Sequence, residues 1–186
     1  MSVPVWSASP VEHPTSLGAL TIRIARRDEL VPLRHTVLRT GLPVFDAYFP
    51  GDELPTTLHL GAFTASAQVV CCGTYVVQPF SSVHPGVTKE QAKYAAGRYE
   101  VTELEDRPAH RLRGMATDAD YRGTGVGQAL LAFSERLIRS QSEQRLLWCD
   151  ARLPAIRFYE KLGWRVVSDR YFVPTAGPHH RMLKLL

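Results

Sequence analysis

The chain has 186 residues, 45% of them hydrophobic and 22% charged, which fits one folded domain and excludes a disordered or fibrous chain. Its net charge of +4 and pI of about 9.1 suit an anionic partner, but the arginines, among them Arg23, Arg98, Arg122 and Arg157, are spread along the chain without a block of like charge, which argues against a nucleic-acid-binding arm. Three cysteines, two of them adjacent at Cys71 and Cys72, form neither a disulfide framework nor a CxxC metal pair; with no secretory pattern in the first twenty residues and no apolar run near the roughly 20 residues that span a membrane, the expected location is the cytoplasm.

Residues 1–18 are rich in Ser and Pro without periodicity and are expected to form a flexible arm, leaving 19–186 as a single domain. Residues 20–24 alternate as a half-buried strand does. Asp28 then offers an N-cap for a helix carrying Leu30, Leu33, Val37 and Leu38, stopped near Gly41 and Pro43. Residues 42–56 mix prolines with Phe45, Tyr48 and Phe49, as a loop or short helix lining a pocket would. Residues 58–63 and 69–77 read as a strand pair joined by a short polar link. The stretch 81–107 is polar, with a modest helix over 89–96, and reads as an insertion.

Beyond Arg111 the pattern sharpens. A strand over 112–117 runs into a glycine-rich turn, after which Val126, Ala129, Leu130, Phe133 and Leu137 recur at helical spacing. A short strand over 145–149, a helix over 154–162 ended by Gly163, and strands over 164–173 and 181–185 complete the chain. A helical crossover between the strands near residues 112 and 147 predicts that they are parallel neighbours. The order is mixed α and β.

The segment Tyr121-Arg-Gly-Thr-Gly-Val-Gly127 stands where a strand gives way to an amphipathic helix, so its glycines leave backbone N–H groups to face an anion at a helix N-terminus. A dinucleotide fingerprint begun at Gly123 needs a glycine where Gln128 stands, and a P-loop needs a Gly-Lys-Ser/Thr ending that is absent. What remains is R-x-x-G-x-G, met by Arg122, Gly125 and Gly127, and here the sequence resembles the acetyl-CoA signature of the GNAT superfamily of N-acetyltransferases. The resemblance extends upstream to Leu112-Arg-Gly-Met-Ala-Thr-Asp118 and downstream to Ala155-Ile-Arg-Phe-Tyr-Glu-Lys-Leu-Gly-Trp164, which is similar to the family's A-x-x-F-Y-x-x-x-G-F pattern. It covers residues 111–186 well and residues 20–80 only in element order.

The resemblance implies an α/β (α+β in some schemes) fold. Its central sheet is mixed and mostly antiparallel, flanked by helices, with a parallel strand pair that splays near Met115 and Leu147 to admit the pantetheine arm. It also implies acetyl-CoA as co-substrate, held by backbone at Met115, Ala116 and Thr117 and around the pyrophosphate by Arg122, Gly123, Thr124, Gly125, Val126, Gly127 and Gln128. Tyr159 is placed near the CoA sulfur as the general acid, and the Ala116 amide becomes the polariser of the thioester carbonyl. Two departures stand out: Arg152 occupies a place where many members carry Asn, and the 81–107 insertion has no counterpart.

Transfer to an amine needs a neutral nucleophile, a polarised carbonyl and a proton for the departing thiolate. A tyrosine with a reference pKa of about 10 is protonated at neutral pH and suits the last task. For a base, His59, Glu103, Glu105, Asp118 and Asp150 all remain open. His179 and His180 point to opposite faces of a strand and lack a third ligand, so no metal is expected, and Cys71 and Cys72 sit in an apolar run where thiols are inert. The expected reaction is direct transfer in a ternary complex to a small-molecule or peptide amine, without membrane or nucleic acid, and with the homodimer common in the family as an available assembly. A non-catalytic acyl-CoA-binding regulatory module is the alternative.

Overall fold

The computed structural model describes residues 6–82, 98–174 and 176–186, so the helix expected over 89–96 and most of the 81–107 insertion lie outside the described residues. The chain divides into two compact units, Met1–Val76 with Arg113–Glu143, and Val77–Leu112 with Gln144–Leu186. Among the described residues nine strands, numbered in chain order, form one mixed sheet in the order β1-β2-β3-β4-β5-β6-β9-β7, with β8 added at β9.

In the first unit β1 (Val11–Thr15), β2 (Gly18–Ile24), β3 (Leu58–Phe63) and β4 (Val69–Val77) run antiparallel in sequence order. The stretch read as a loose arm thus supplies β1. Its two-residue loop turns at Gly18 (φ +111°), and the Thr15 hydroxyl donates to the Gly18 carbonyl at 2.7 Å. Pairing, not periodicity, orders this strand: Val11 and Leu17 are exposed, so composition alone gives no sign of it. Upstream, the Trp6 indole donates to the Thr56 carbonyl, and Ser7 exchanges hydrogen bonds with the Gln141 side chain.

Helix α1 (Arg27–Leu38) lays Leu30 and Leu33 against Ala25, Phe63, Val69, Cys72 and Ala116. Its N-cap is Arg26, two residues before the expected Asp28, because the Glu29 carboxylate reaches back to the Arg26 amide at 2.7 Å while Asp28 stays on the surface beside Arg27. Helix α2 (Val126–Gln141) buries Val126, Leu130, Leu131, Phe133, Leu137 and Ile138 along one stripe.

The second unit holds the start of β5 (Ala109–Thr117), parallel to β6 (Leu146–Arg152) from Ala109 opposite Leu146 to Leu112 opposite Cys149. The parallel pair expected from the crossover is therefore present. Strand β9 (Gly177–Leu185) runs antiparallel to β6 and also pairs β7 (Arg165–Val166) and β8 (Tyr171–Val173). The single strand expected over 164–173 is two short ones, interrupted by the polar run Ser168-Asp-Arg170, whose Ser168 hydroxyl accepts from the Arg181 amide. Helix α3 (Ile156–Glu160) follows a 3-10 turn at Leu153–Ala155, and the turn after it closes at Gly163 (φ +83°). The core gathers Phe80, Val101, Ala109, Leu146, Trp148, Val167 and Leu183. No helix among the described residues is long and apolar enough to cross a membrane.

His110 lies fully buried in β5, and burial first, then the nearby Arg145 charge, pushes its pKa down to about 4. Its stabilising contribution is complete above the unfolded value of about 6.5 and is lost as pH falls through 4, because the unfolded chain takes up a proton that the folded chain refuses. Denaturant titrations are expected to show about 3 kcal/mol of acid destabilisation from this group between those limits. His110→Leu should flatten that part of the pH profile; an unchanged profile in the variant would show that His110 is not its source.

Candidate functional site

The glycine-rich segment is built as an anion cradle. Asp118 caps a 3-10 turn at Ala119–Tyr121 by accepting from the Asp120 amide, and the Tyr121 carbonyl then accepts from the Thr124 hydroxyl at 2.7 Å. Gly123 (φ +80°) and Gly125 (φ +83°) both adopt left-handed backbone, and Gly125 is the N-cap of α2. The first intrahelical bond runs from the Ala129 amide to the Gly125 carbonyl at 3.0 Å. The amides of Gly125, Val126, Gly127 and Gln128 therefore precede the helical ladder and converge at the positive end of the helix dipole. The first turn carries no acidic residue to neutralise that end.

Space around the loop matters as much as its backbone. A Cβ on Gly123 would meet nothing within 4 Å, and one on Gly125 would meet only the His13 ring at 3.8 Å. These glycines are thus required by their φ angles and not by close packing. Arg122 is tied back to the preceding strand, its Nε donating to the Thr117 carbonyl at 3.3 Å. The structure thereby brings Arg122–Gln128 together with the end of Met115–Thr117. Ala116 is buried beneath α1, whereas Met115 and Thr117 are half-buried.

Just upstream, Gly114 takes φ +61° within β5, and a Cβ there would stand 2.9 Å from Arg34 Nε and 3.0 Å from the Phe49 ring. Left-handed backbone inside a strand re-aims the peptides that follow it. Arg34, fully buried on α1, donates to Asp52 Oδ2 at 2.5 Å and also to Thr74 Oγ1. Asp52 accepts in addition from the Phe49 amide and from Arg113 Nη2 at 3.1 Å. Burial opposes the charged carboxylate, but Arg34, the Phe49 amide and Arg113 outweigh it and hold the Asp52 pKa below its ordinary value.

His59 closes this network. The Thr74 hydroxyl accepts from Arg34 and so donates to His59 Nδ1 at 2.8 Å, which leaves Nε2–H to donate to the Asp52 carbonyl at 2.9 Å. Burial lowers the His59 pKa and keeps the ring neutral. With both nitrogens engaged, His59 is a structural link and not a free base. None of this network was found from the sequence, although Arg34 gave one signal: it follows Leu30 by four residues, on the apolar face of α1.

Asp150, another candidate base, is likewise committed. It accepts from Arg111 Nη2 at 2.8 Å, from Arg181 Nε at 2.9 Å and from the Tyr171 hydroxyl. Burial works against its charge, yet Arg181, Arg111 and Tyr171 together lower its pKa, which makes it a poor proton acceptor. Both guanidiniums also stack on Trp148, each 4.7 Å from the ring centroid. Glu105 accepts from the Ser82 amide at 2.8 Å, Asp118 serves as the cap described above, and Glu103 lies on the surface.

Tyr159 belongs to the second unit, on α3. Its ring is buried, edge-on to Phe158 at 5.1 Å and Trp164 at 5.5 Å, and its carbonyl closes the helix by accepting from the Leu162 and Trp164 amides. Burial pushes the Cys71 thiol up to about 12 and the Cys72 thiol to about 11, so neither offers a thiolate near neutral pH. His179 Nδ1–H donates to the Gly177 carbonyl and His180 Nδ1–H to the Ser168 carbonyl; among the described residues no cluster of three metal-ligating side chains occurs.

Residues 87–166 match the family profile described as the acetyltransferase (GNAT) domain. The uncharacterized N-acetyltransferase YitI of Bacillus subtilis (strain 168) is 25% identical over 167 residues, spanning 90% of this chain and 97% of that protein. Among solved structures, Escherichia coli ElaA superposes with a TM-score of 0.62 at 14% identity, over 89% of this chain and 99% of its own. An aminoglycoside 6'-N-acetyltransferase complexed with coenzyme A superposes with a TM-score of 0.58 at 12% identity, over 88% and 96%.

Proposed function

We propose that this chain, whose residues 87–166 match the acetyltransferase (GNAT) domain profile, moves the acetyl group of acetyl-CoA onto a primary amine of a small molecule or peptide by direct attack in a ternary complex. The observation that carries this reading is the set of amides from Gly125 to Gln128 at the start of α2, preceded by two glycines in left-handed backbone. The cradle fits a pyrophosphate: its donors are backbone N–H groups, its dipole end is positive, and open space surrounds Gly123. Acetyl-CoA, when bound, supplies an activated acyl thioester.

The chain's own residues then have separable tasks. The amides of Gly123 to Gln128, with Thr124 and Arg122, hold the diphosphate, and the backbone of Met115 to Thr117 aligns the pantetheine and acyl group. The Ala116 amide donates to the carbonyl oxygen as negative charge develops there. Tyr159 delivers its phenolic proton to the departing sulfur and recovers one from solvent, while the attacking amine gives up its own proton as the amide forms. With His59 and Asp150 bound into networks, the proton from the amine passes to water. Three buried free thiols support a reducing, cytoplasmic setting.

The test is release of free CoA in the presence of acetyl-CoA and a panel of amines, with the acetylated product identified by mass. Amine-dependent release is expected. Tight CoA binding without release for any amine would favour the non-catalytic binding module.

A further inference from the structure

We propose that His13, on β1, is a further contact for the diphosphate of acetyl-CoA, its Nε2–H donating to a phosphate oxygen beside the amides that begin α2. The inference rests on the acetyl-transfer reading above and adds to its cofactor site a residue far from the glycine-rich loop in sequence.

The observation that carries it is an orphaned polar atom. His13 Nε2 is buried and has no hydrogen-bond partner among the described residues. Leaving a buried ring nitrogen unpaired is costly, and a bound ligand is one of the few ways to offset that cost. The edge of the ring that carries it faces the loop: Nε2 stands 3.8 Å, and Cε1 3.9 Å, from the place a Cβ on Gly125 would take. Gly125 is the N-cap of α2, so the orphaned nitrogen lies against the residue from which the unpaired amides of the helix start. Two sets of unsatisfied donors thus meet at one glycine.

Strand β1 fixes this placement. His13 is paired with Leu20 of β2, and β1 also packs on α2. Successive residues of a strand face opposite ways, and here Glu12 and Pro14 are exposed while His13 is half-buried. The Glu12 carboxylate is therefore turned to the far side, where it accepts from the Thr21 hydroxyl at 2.9 Å. Upstream, the exchange between Ser7 and Gln141 ties the same segment to the other end of α2. An imidazole with its hydrogen on Nε2 offers an anion a donor and brings no negative charge to the positive end of the helix dipole.

Calorimetric titration of the full chain tests the assignment, with acetyl-CoA and with acetyl-dephospho-CoA, which keeps the diphosphate and lacks the ribose phosphate. His13→Ala is expected to weaken both by about 10- to 100-fold, the contribution of one hydrogen bond to a charged group. His13→Gln, whose side-chain amide brings an N–H near the position of Nε2, should recover part of the loss, which a role in packing alone would not give. Unchanged affinity in His13→Ala, a loss confined to acetyl-CoA, or His13→Gln as weak as His13→Ala would overturn the proposal. Parent protein that binds neither ligand would instead count against the acetyl-transfer reading. Should His13→Ala fail to fold, histidine nitrogen NMR of the parent decides: the His13 Nε2 signal, identified by its loss in His13→Gln, is expected to shift on addition of acetyl-CoA, and an unmoved signal would overturn the proposal.

Discussion

Gly125→Val is expected to weaken acetyl-CoA binding by about 100-fold or more while the protein stays folded. The residue sits at φ +83° as the N-cap of α2, a conformation that costs a side-chain-bearing residue about 1–2 kcal/mol and a β-branched one more. The nearest atom to a new Cβ is 3.8 Å away, so the penalty arises in the backbone and not from a clash. The chain relieves it by rotating the peptides on either side, which turns the Gly125 and Val126 amides off their common target. Two hydrogen bonds to a charged group, each worth about 1.5–3 kcal/mol, are lost together. Calorimetric titration of the variant measures this, with a thermal melt to establish that α2 remains packed; unchanged affinity would remove the loop from the cofactor site.

Tyr159→Phe should lower kcat by about 100-fold, the lower end of what a positioned general acid contributes, and leave the KM for acetyl-CoA within about threefold. The buried ring, edge-on to Phe158 and Trp164, keeps its shape when one oxygen is removed. Steady-state kinetics at saturating acetyl-CoA separate the two parameters. An unaltered kcat would assign Tyr159 to packing alone and leave protonation of the thiolate to water.

Local pattern carried much of the fold. Strands β3 and β4 occupy the expected residues because each is a bounded run of β-formers, and α2 begins at Val126 because its apolar stripe starts there. The parallel pairing of β5 with β6 followed from the helix between them. Elements ordered by partners fared differently. Strand β1 has little buried surface and exists through its ladder to β2, and the run over 164–173 yields at Ser168-Asp-Arg170, where Ser168 bonds to β9.

The glycine-rich loop was legible because its glycines, amides and helix are contiguous in sequence. The buried network of Arg34, Asp52 and Arg113 was not. Asp52 meets Arg34 across 18 positions and Arg113 across 61, and no local spacing encodes such meetings. Single polar residues therefore looked like candidate bases: His59 and Asp150 are available on paper, but the fold fills their lone pairs.

The most direct test of the central claim is calorimetric titration of the purified protein with acetyl-CoA in parallel with NAD and ATP. Selective binding of acetyl-CoA, with CoA close behind and neither nucleotide competing, is the predicted result. Well-folded protein that binds neither acetyl-CoA nor CoA would contradict the account.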